Sequence, residues 1–364
     1  MSSRRATEGS WPAWLRVVLS CDRQSFTVKD VLDAAWFRGA LDKPLARVLE
    51  AHACEQQAAT LDQEPDQDTL QSMSEEFRYH RDLLTAEETE TWLASRDLTE
   101  DDFGSFFLRA YWLEKQAPRP APVILPYPEI PAELLDLLRV DLMLSGDFDS
   151  LAEAASWRAV ALRQSDSTLD AAPERARFFD RTGLSEAGLT AALGQIERDA
   201  GWFEECLRME AAFGRLSALW LNQAERARAL ASRRHGLTRL QIESLLAPSR
   251  DAAQEAVLCL RENQASMEEL AQACGSHREQ RDLFLEDFAP DLQQLFVCAQ
   301  PGEVLNLPED DSGFLVCRIL AKHDPDLTDA DVSSRIDQKL LEDRFSELTR
   351  DRIQWVQPAA RPHE

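Results

Sequence analysis

Residues 239–262 read RLQIESLLAPSRDAAQEAVLCLRE, and this stretch decides the class of fold. Leu240, Ile242, Ser244 and Leu246 alternate with Arg239, Gln241, Glu243 and Leu245, and this period of two predicts a β-strand. Pro248 ends the strand, and Ser249 is a suitable N-cap for a helix from 250 to about 262. A strand that runs into an amphipathic helix indicates a fold that combines both element types.

The residues that follow extend this mixture of elements. A short helix is predicted at 267–275, and the apolar residues of 284–296 recur at helical spacing. Two strands are predicted at 302–308 and 314–322, joined by a turn. The order β-α-α-α-β-β predicts a compact α+β domain over residues 236–325.

The first two thirds of the chain contain two similar helical stretches. Residues 77–112 and 178–213 align at an offset of 100, so that Thr85 meets Ser185 as a helix cap. Each block predicts a helix of about ten residues, a short polar break and a longer helix. Any two amphipathic stretches align to some degree, but the ordered matches favour a duplicated helical module.

A proline cluster separates these two stretches. Six of the 17 prolines lie between Pro118 and Pro131, and such a run favours an extended backbone. We interpret the cluster as a stiff linker; the alternative is a proline-rich ligand for an aromatic groove.

The predicted fold class is therefore α+β, predominantly α, with five parts. They are helical module 1 (1–116), the proline-rich linker (117–131), helical module 2 (132–235), the α+β domain (236–325), and a C-terminal helix with a tail (326–364).

Composition excludes several functions. The 364 residues include 40 Lys and Arg against 65 Asp and Glu, and a net charge of −25 repels nucleic acid and anionic membranes. The seven cysteines form no CxxC pair, which indicates a reducing compartment. We find neither a signal peptide nor a membrane span, so we expect a cytoplasmic protein. No motif for a metal or another cofactor is present, and the oligomeric state stays open.

Residues 240–322 resemble the parvulin-type peptidyl-prolyl isomerases. The matching segments are SLLAPSRDAAQEA (244–256), MEELAQACGS (267–276), FLEDFAPDLQQLFVCAQPGEV (284–304) and NLPEDDSGFLVCRIL (306–320). The flanking helices are similar to the arrangement in the SurA-like, PpiC-related chaperones, where the last helix packs back on the helical module. The resemblance implies a peptidyl-prolyl cis-trans isomerase (rotamase)-like chaperone that binds proline-containing or unfolded polypeptide and assists peptide maturation or export.

The sequence departs from this family where catalysis is concerned. The positions of the usual active-site His pair hold Ser244 and Leu315, and a segment without the usual Gly-Gly loop follows residue 275. Weak catalytic candidates are Ser244 and His277; a structural hydrogen bond and an exposed loop are their alternatives. Whether the protein is an enzyme stays open.

Holding a proline ring requires an apolar platform, because a catalyst of this rotation makes no covalent bond. The peptide-binding candidates are apolar side chains near the predicted groove: Leu246, Phe284, Phe288, Leu292, Phe296 and Leu315. We predict that Phe284 and Phe288 lie one helical turn apart, as do Leu292 and Phe296. Such a stripe is also typical of a protein core. The alternative function is a non-catalytic helical adaptor or scaffold with a remnant isomerase domain.

Overall fold

The chain folds into fifteen α-helices and two small antiparallel sheets within the described residues, so the prediction of a predominantly helical α+β fold is confirmed. A computed structural model describes residues 13–22, 24–115, 119–120, 125–165, 169–307 and 314–356. The chain divides into two units. We call residues 1–217 with 345–364 the helical unit, and residues 218–344 the sheet unit.

The elements up to residue 220 are mostly helices. In chain order they are β1 (Val17–Cys21), β2 (Gln24–Thr27), α1 (Val28–Arg38), α2 (Asp42–Thr60), α3 (Gln67–Tyr79), α4 (Ala86–Ser95), α5 (Glu100–Lys115), α6 (Ala132–Ser145), α7 (Asp147–Gln164), α8 (Ala172–Thr182), α9 (Glu186–Gln195) and α10 (Ala200–Trp220).

The later elements alternate between helices and strands. They are α11 (Gln223–Arg233), β3 (Arg239–Ala247), α12 (Arg250–Arg261), α13 (Met267–Ala273), β4 (Glu279–Phe284), α14 (Pro290–Cys298), β5 (Val304–Asn306), β6 (Phe314–His323), α15 (Ala330–Thr349) and β7 (Ile353–Trp355). The strand orders are β2-β1-β7 in one sheet and β4-β3-β6-β5 in the other, and all pairs are antiparallel.

The two predicted repeats have equivalent helices. Thr85 caps α4 by accepting a hydrogen bond from the Glu88 amide, and Ser185 caps α9 by accepting one from the Gly188 amide. An N-cap side chain accepts from an amide that has no partner inside the helix, which fixes where the helix begins. The helices α4 and α9 therefore begin 100 residues apart, as do α5 and α10.

Each repeat also supplies an arginine to the first helix of the other repeat. Arg181 donates to the carbonyl oxygens of Trp36 and Phe37 at the end of α1, at 3.3 and 2.5 Å. Arg81, 100 residues earlier, donates to the Leu144 carbonyl near the end of α6 at 2.9 Å. The last carbonyls of a helix have no partner within it and attract cations. The two repeats therefore interlock, because an arginine of each repeat contacts the first helix of the other.

The two predicted modules share one hydrophobic core. Its buried residues run from Val18 in β1 to Leu207 in α10, and Ile353 of β7 joins them. The periodicity within residues 1–116 and 132–235 does not indicate whether the two modules share a core, and the structure shows that their helices up to Leu207 do. The unit boundaries at 217/218 and 344/345 fall within α10 and α15.

The proline-rich segment is more than a linker. Residues 116–118 and 121–124 lie outside the described residues, but Tyr127 is buried in the shared core. Its hydroxyl donates to Asp33 at 2.9 Å, and its ring stacks on Trp36 with centroids 6.2 Å apart. The interpretation as a stiff linker is therefore corrected for residues 125–131, because a tyrosine and its flanking apolar side chains anchor them.

The end of the chain returns to the helical unit. Phe345 in α15 stacks on Trp157 and Phe213, with ring centroids 5.2 and 5.1 Å apart. The strand β7 then pairs with β1. The family resemblance implied that the whole last helix packs on the helical module, but only its part from residue 345 belongs to the helical unit, and Val332 and Ile336 belong to a cluster of the sheet unit.

The sheet unit has a four-stranded sheet with a hydrophobic cluster on each face. Leu245 and Ala247 face α12 and α13, whereas Leu240 and Ile242 face the cluster around Phe296 of α14. Residues 279–284, predicted as a loop and the start of a helix, form the strand β4. Its exposed charged side chains suit a sheet edge, and its backbone hydrogen bonds go to β3.

We predict that Asp33→Ala lowers the free energy of unfolding by about 3–5 kcal/mol, because it leaves the partly buried Lys29 without a carboxylate and Arg198 with Asp30 alone. Urea unfolding followed by circular dichroism measures this. The control is Arg47→Ala, which removes an exposed ion pair to Asp147 and should cost about 1 kcal/mol or less. Equal losses for the two variants would contradict the importance of Asp33.

Candidate functional site

Four apolar side chains of the sheet unit are accessible around one face of its sheet. Leu246 and Leu315 are cross-strand partners on β3 and β6, so their side chains project from the same face. Leu246 is 37% exposed, and Leu315 is half-buried. Phe288 and Leu292, also half-buried, pack against the cluster that lies beneath Leu315. We call Leu246, Phe288, Leu292 and Leu315 the sheet face.

Two other peptide-binding candidates do not belong to this surface. Phe296 is 0% exposed, and its ring centroid lies 4.4 Å from that of Phe288, so Phe296 supports the sheet face from below. Phe284 belongs to a different cluster, and the guanidinium groups of Arg239 and Arg335 lie 4.7 and 4.2 Å from its ring centroid. The prediction that Phe284 and Phe296 line the groove is therefore corrected.

The predicted helical stripe is corrected as well. Phe284 ends β4, and a 3₁₀ turn over Leu285–Asp287 separates it from Phe288. The α-helix begins only at Pro290, which is favoured in the first turn because it lacks an amide hydrogen. Phe284 and Phe288 therefore do not lie on one helix, whereas Leu292 and Phe296 both lie on α14, one turn apart.

The two polar candidates flank a glutamate that the sequence analysis did not identify. Ser244 is 5% exposed and lies opposite Glu279 of β4. Because directly opposed residues of antiparallel strands share a face, both side chains project from the same side as Leu246. The exposed His277 forms an ion pair with Glu279 when its imidazole is protonated, with Nε2 and Oε1 3.3 Å apart. Ser244, His277 and Glu279 therefore cluster at the β4 side of the sheet.

On the opposite face of the sheet, a buried carboxylate anchors the segment next to His277. Glu243 is 2% exposed and accepts hydrogen bonds from Arg278 at 2.7 Å and from Arg318 at 2.5 Å. A buried charge is tolerated when it is paired on both sides. These bonds tie residue 278, next to His277, to two strands of the sheet. No sequence signal marked this arrangement, because Glu243 alternates in phase with Arg239 and Gln241 in the manner of a solvent-facing residue.

The cross-strand neighbour of Ser244 on β6 is a buried thiol. Cys317 is 0% exposed, and burial, with a smaller effect from Glu243, raises its pKa to about 12. A thiol is nucleophilic only as the thiolate. Cys317 is therefore inert at neutral pH, and the polar chemistry available beside the sheet face comes from Ser244, Glu279 and His277.

Among the described residues, no group of three or more His, Cys, Asp or Glu side chains has an arrangement that could hold a metal ion. No helix in the same part of the chain is both long and apolar enough to cross a membrane.

We predict that iodoacetamide at pH 8 modifies Cys298 and leaves Cys317 intact in the native protein. Cys298 is exposed, whereas a pKa of about 12 leaves roughly one Cys317 in ten thousand as thiolate. Peptide mapping by mass spectrometry measures both sites. Urea should expose Cys317, and native labelling at Cys317 as fast as at Cys298 would contradict its burial.

Comparisons with known proteins give weak likenesses. No protein-family model and no curated protein matches the sequence. Among solved structures, the peptidylprolyl isomerase PrsA of Bacillus anthracis is similar, with 14% identity and a TM-score of 0.33 over 56% of this chain and 95% of PrsA. PrsA of Bacillus cereus gives 12% identity and a TM-score of 0.34 over 59% of this chain and 85% of that one. A structure reported with the SurA-like chaperones of Campylobacter jejuni gives 9% identity and a TM-score of 0.19, covering 59% and 88% of the two chains.

Proposed function

We propose that the protein is a peptide-binding chaperone that holds proline-containing or unfolded polypeptide segments on the sheet face. The observation that supports this is the group of accessible apolar side chains at Leu246, Phe288, Leu292 and Leu315. A proline ring requires an apolar surface of this kind, with few polar groups near it. The cluster of Ser244, Glu279 and His277 supplies those polar groups at one side.

Binding is favoured over catalysis in this proposal. Rotation about an X–Pro bond has a barrier of about 18–20 kcal/mol that originates in amide resonance. Only contacts that are stronger in the twisted amide than in the planar one accelerate rotation. Apolar contacts with the ring are similar in both states, so any isomerisation depends on the nearby hydroxyl, carboxylate and imidazole.

The net charge and the free cysteines support the kind of client and the cellular location that we propose. A net charge of −25 favours basic client segments over acidic ones. All seven cysteines lie in described parts of the chain and are free, which suits the cytoplasmic location that we propose. A role in peptide maturation or export belongs to the same proposal.

We predict that Phe288→Ala raises the dissociation constant of a labelled proline-containing peptide about tenfold, since removal of an aromatic contact typically costs more than about 1 kcal/mol. Fluorescence anisotropy with the full chain measures this. The matched control is Val297→Ala on the same stretch of chain, because Val297 is 48% exposed and outside the sheet face. Unchanged binding by the Phe288 variant would show that the sheet face is assigned wrongly.

We predict that the protein raises the rate of proline-peptide isomerisation only slightly above the uncatalysed rate. Glu279→Gln should reduce this acceleration further, while peptide binding is retained. The reason is that the Glu279 carboxylate lies directly across from Ser244 and contacts His277. A flat assay with retained binding supports a chaperone without catalysis. A flat assay without any peptide binding would instead support the adaptor or scaffold alternative.

A further inference from the structure

The helical unit contains an open groove of about 620 Å³. Helices α1 and α2 form one side of it, α8 and α9 form another, and residues 125–129 form a third wall. Cavities that bind ligands typically have volumes of about 300–1,000 Å³. The groove is formed by the helical unit alone and shares no residue with the sheet face.

The floor of the groove is apolar and closely packed. Trp36, Leu45, Leu49 and Ala192 line it, and each is at most 6% exposed. Ala46 of α2 and Ala191 of α9 are exposed at the opening of the groove, and their small side chains keep the opening wide. The accessible apolar area comes from these alanines and from the half-buried Leu125 and Leu184, and its removal from water favours the binding of aliphatic side chains.

The chain's own proline segment indicates which kind of chain fits beside these helices. The backbone dihedral angles of Pro126 and Pro131 are close to those of a polyproline helix. Between these prolines Tyr127 enters the core, while Leu125 and Ile130 pack against it. A segment with apolar side chains therefore already lies against this part of the unit; its backbone is extended at Pro126, Ile130 and Pro131 and forms one 3₁₀ turn over Tyr127–Glu129.

The charges at the rim favour a basic occupant. Asp42 and Glu129 are exposed carboxylates at the groove. Arg181, which also lines the groove, directs its guanidinium to the Trp36 and Phe37 carbonyls, so part of its donor capacity is already used. A ligand with lysine or arginine would meet these carboxylates and the field of a chain with a net charge of −25.

We propose that this groove is a second polypeptide site, which takes an extended segment of a partner with aliphatic side chains on the floor and basic side chains at Asp42 and Glu129. The inference rests on the proposed function only for its class of ligand. The two sites use different residues, so each can fail without the other.

The test uses the full chain and a labelled peptide of sequence LKLGLKL, with LELGLEL as its charge-reversed partner. Ala191→Trp fills the groove, and the matched control Thr190→Trp adds the same side chain at an exposed position on the opposite face of α9. We expect Ala191→Trp to raise the dissociation constant of LKLGLKL at least tenfold and Thr190→Trp to leave it unchanged. Glu129→Gln should raise it about threefold, and wild-type protein should bind LELGLEL at least tenfold more weakly.

Ala46→Trp fills the same groove from α2, so a folding defect in one of the two variants does not decide the result. Circular dichroism checks that both variants are folded. Unchanged binding in both groove variants overturns the inference. If Phe288→Ala alone abolishes the binding of LKLGLKL, this peptide binds at the sheet face and the groove inference fails. If only the groove variants abolish it, the groove inference stands, and the sheet face is decided separately by the proline-containing peptide. Equal affinity for both peptides, or uptake of a neutral apolar dye without either peptide, overturns the basic-segment assignment.

Discussion

The carboxylate of Asp33, which is 0% exposed, determines how distant parts of the helical unit meet. It accepts hydrogen bonds from Lys29 at 2.9 Å, Arg198 at 2.6 Å and the Tyr127 hydroxyl at 2.9 Å. A buried carboxylate without partners costs several kcal/mol, so the fold must supply all three donors. The Tyr127 and Arg198 partners are 94 and 165 residues away, and they fix the proline segment and the start of α10 against α1. Through Tyr127, the same contact also positions a wall of the groove.

The exchange of arginines between the repeats adds a second constraint. Arg81 and Arg181 each satisfy carbonyls at the end of the other repeat's first helix. A second buried pair, Arg109 with Asp141, joins α5 to α6 across the same division. Neither repeat can satisfy these groups alone, so the duplicated modules fold as one core. A groove between α2 and α9 exists only because the repeats interlock in this way.

Local signals in the sequence were sufficient wherever one segment determines its own structure. The caps at Thr85 and Ser185 and the strand over 239–247 were predicted because capping and alternation depend on neighbouring residues. Residues 279–284 were misassigned because a polar edge strand has no apolar alternation and becomes a strand by pairing with β3. Phe284 fits a helical spacing with Phe288, but the spacing does not reveal the turn between them.

The site shows the same division between local and long-range information. Leu246 and Leu315 were identified individually, but their pairing across β3 and β6 depends on strand register. Glu279 was missed for the same reason, since only register places it opposite Ser244. Asp33 and Tyr127 gave no signal, because a buried polar contact between residues 94 positions apart leaves no periodic pattern.

The contrast between the two apolar surfaces bears on the peptide-binding function that we propose. At the sheet face, the hydrophobic contacts stabilise a proline ring equally before and during rotation, so they contribute to affinity rather than to rate. A polar group contributes to rate only if it strengthens its contact as the amide twists, and the buried Ser244 hydroxyl is flanked by a thiol whose pKa is about 12. In the helical unit, the groove offers apolar area and charge at its rim. This is why the function that we propose for both surfaces is to hold a polypeptide segment rather than to transform it.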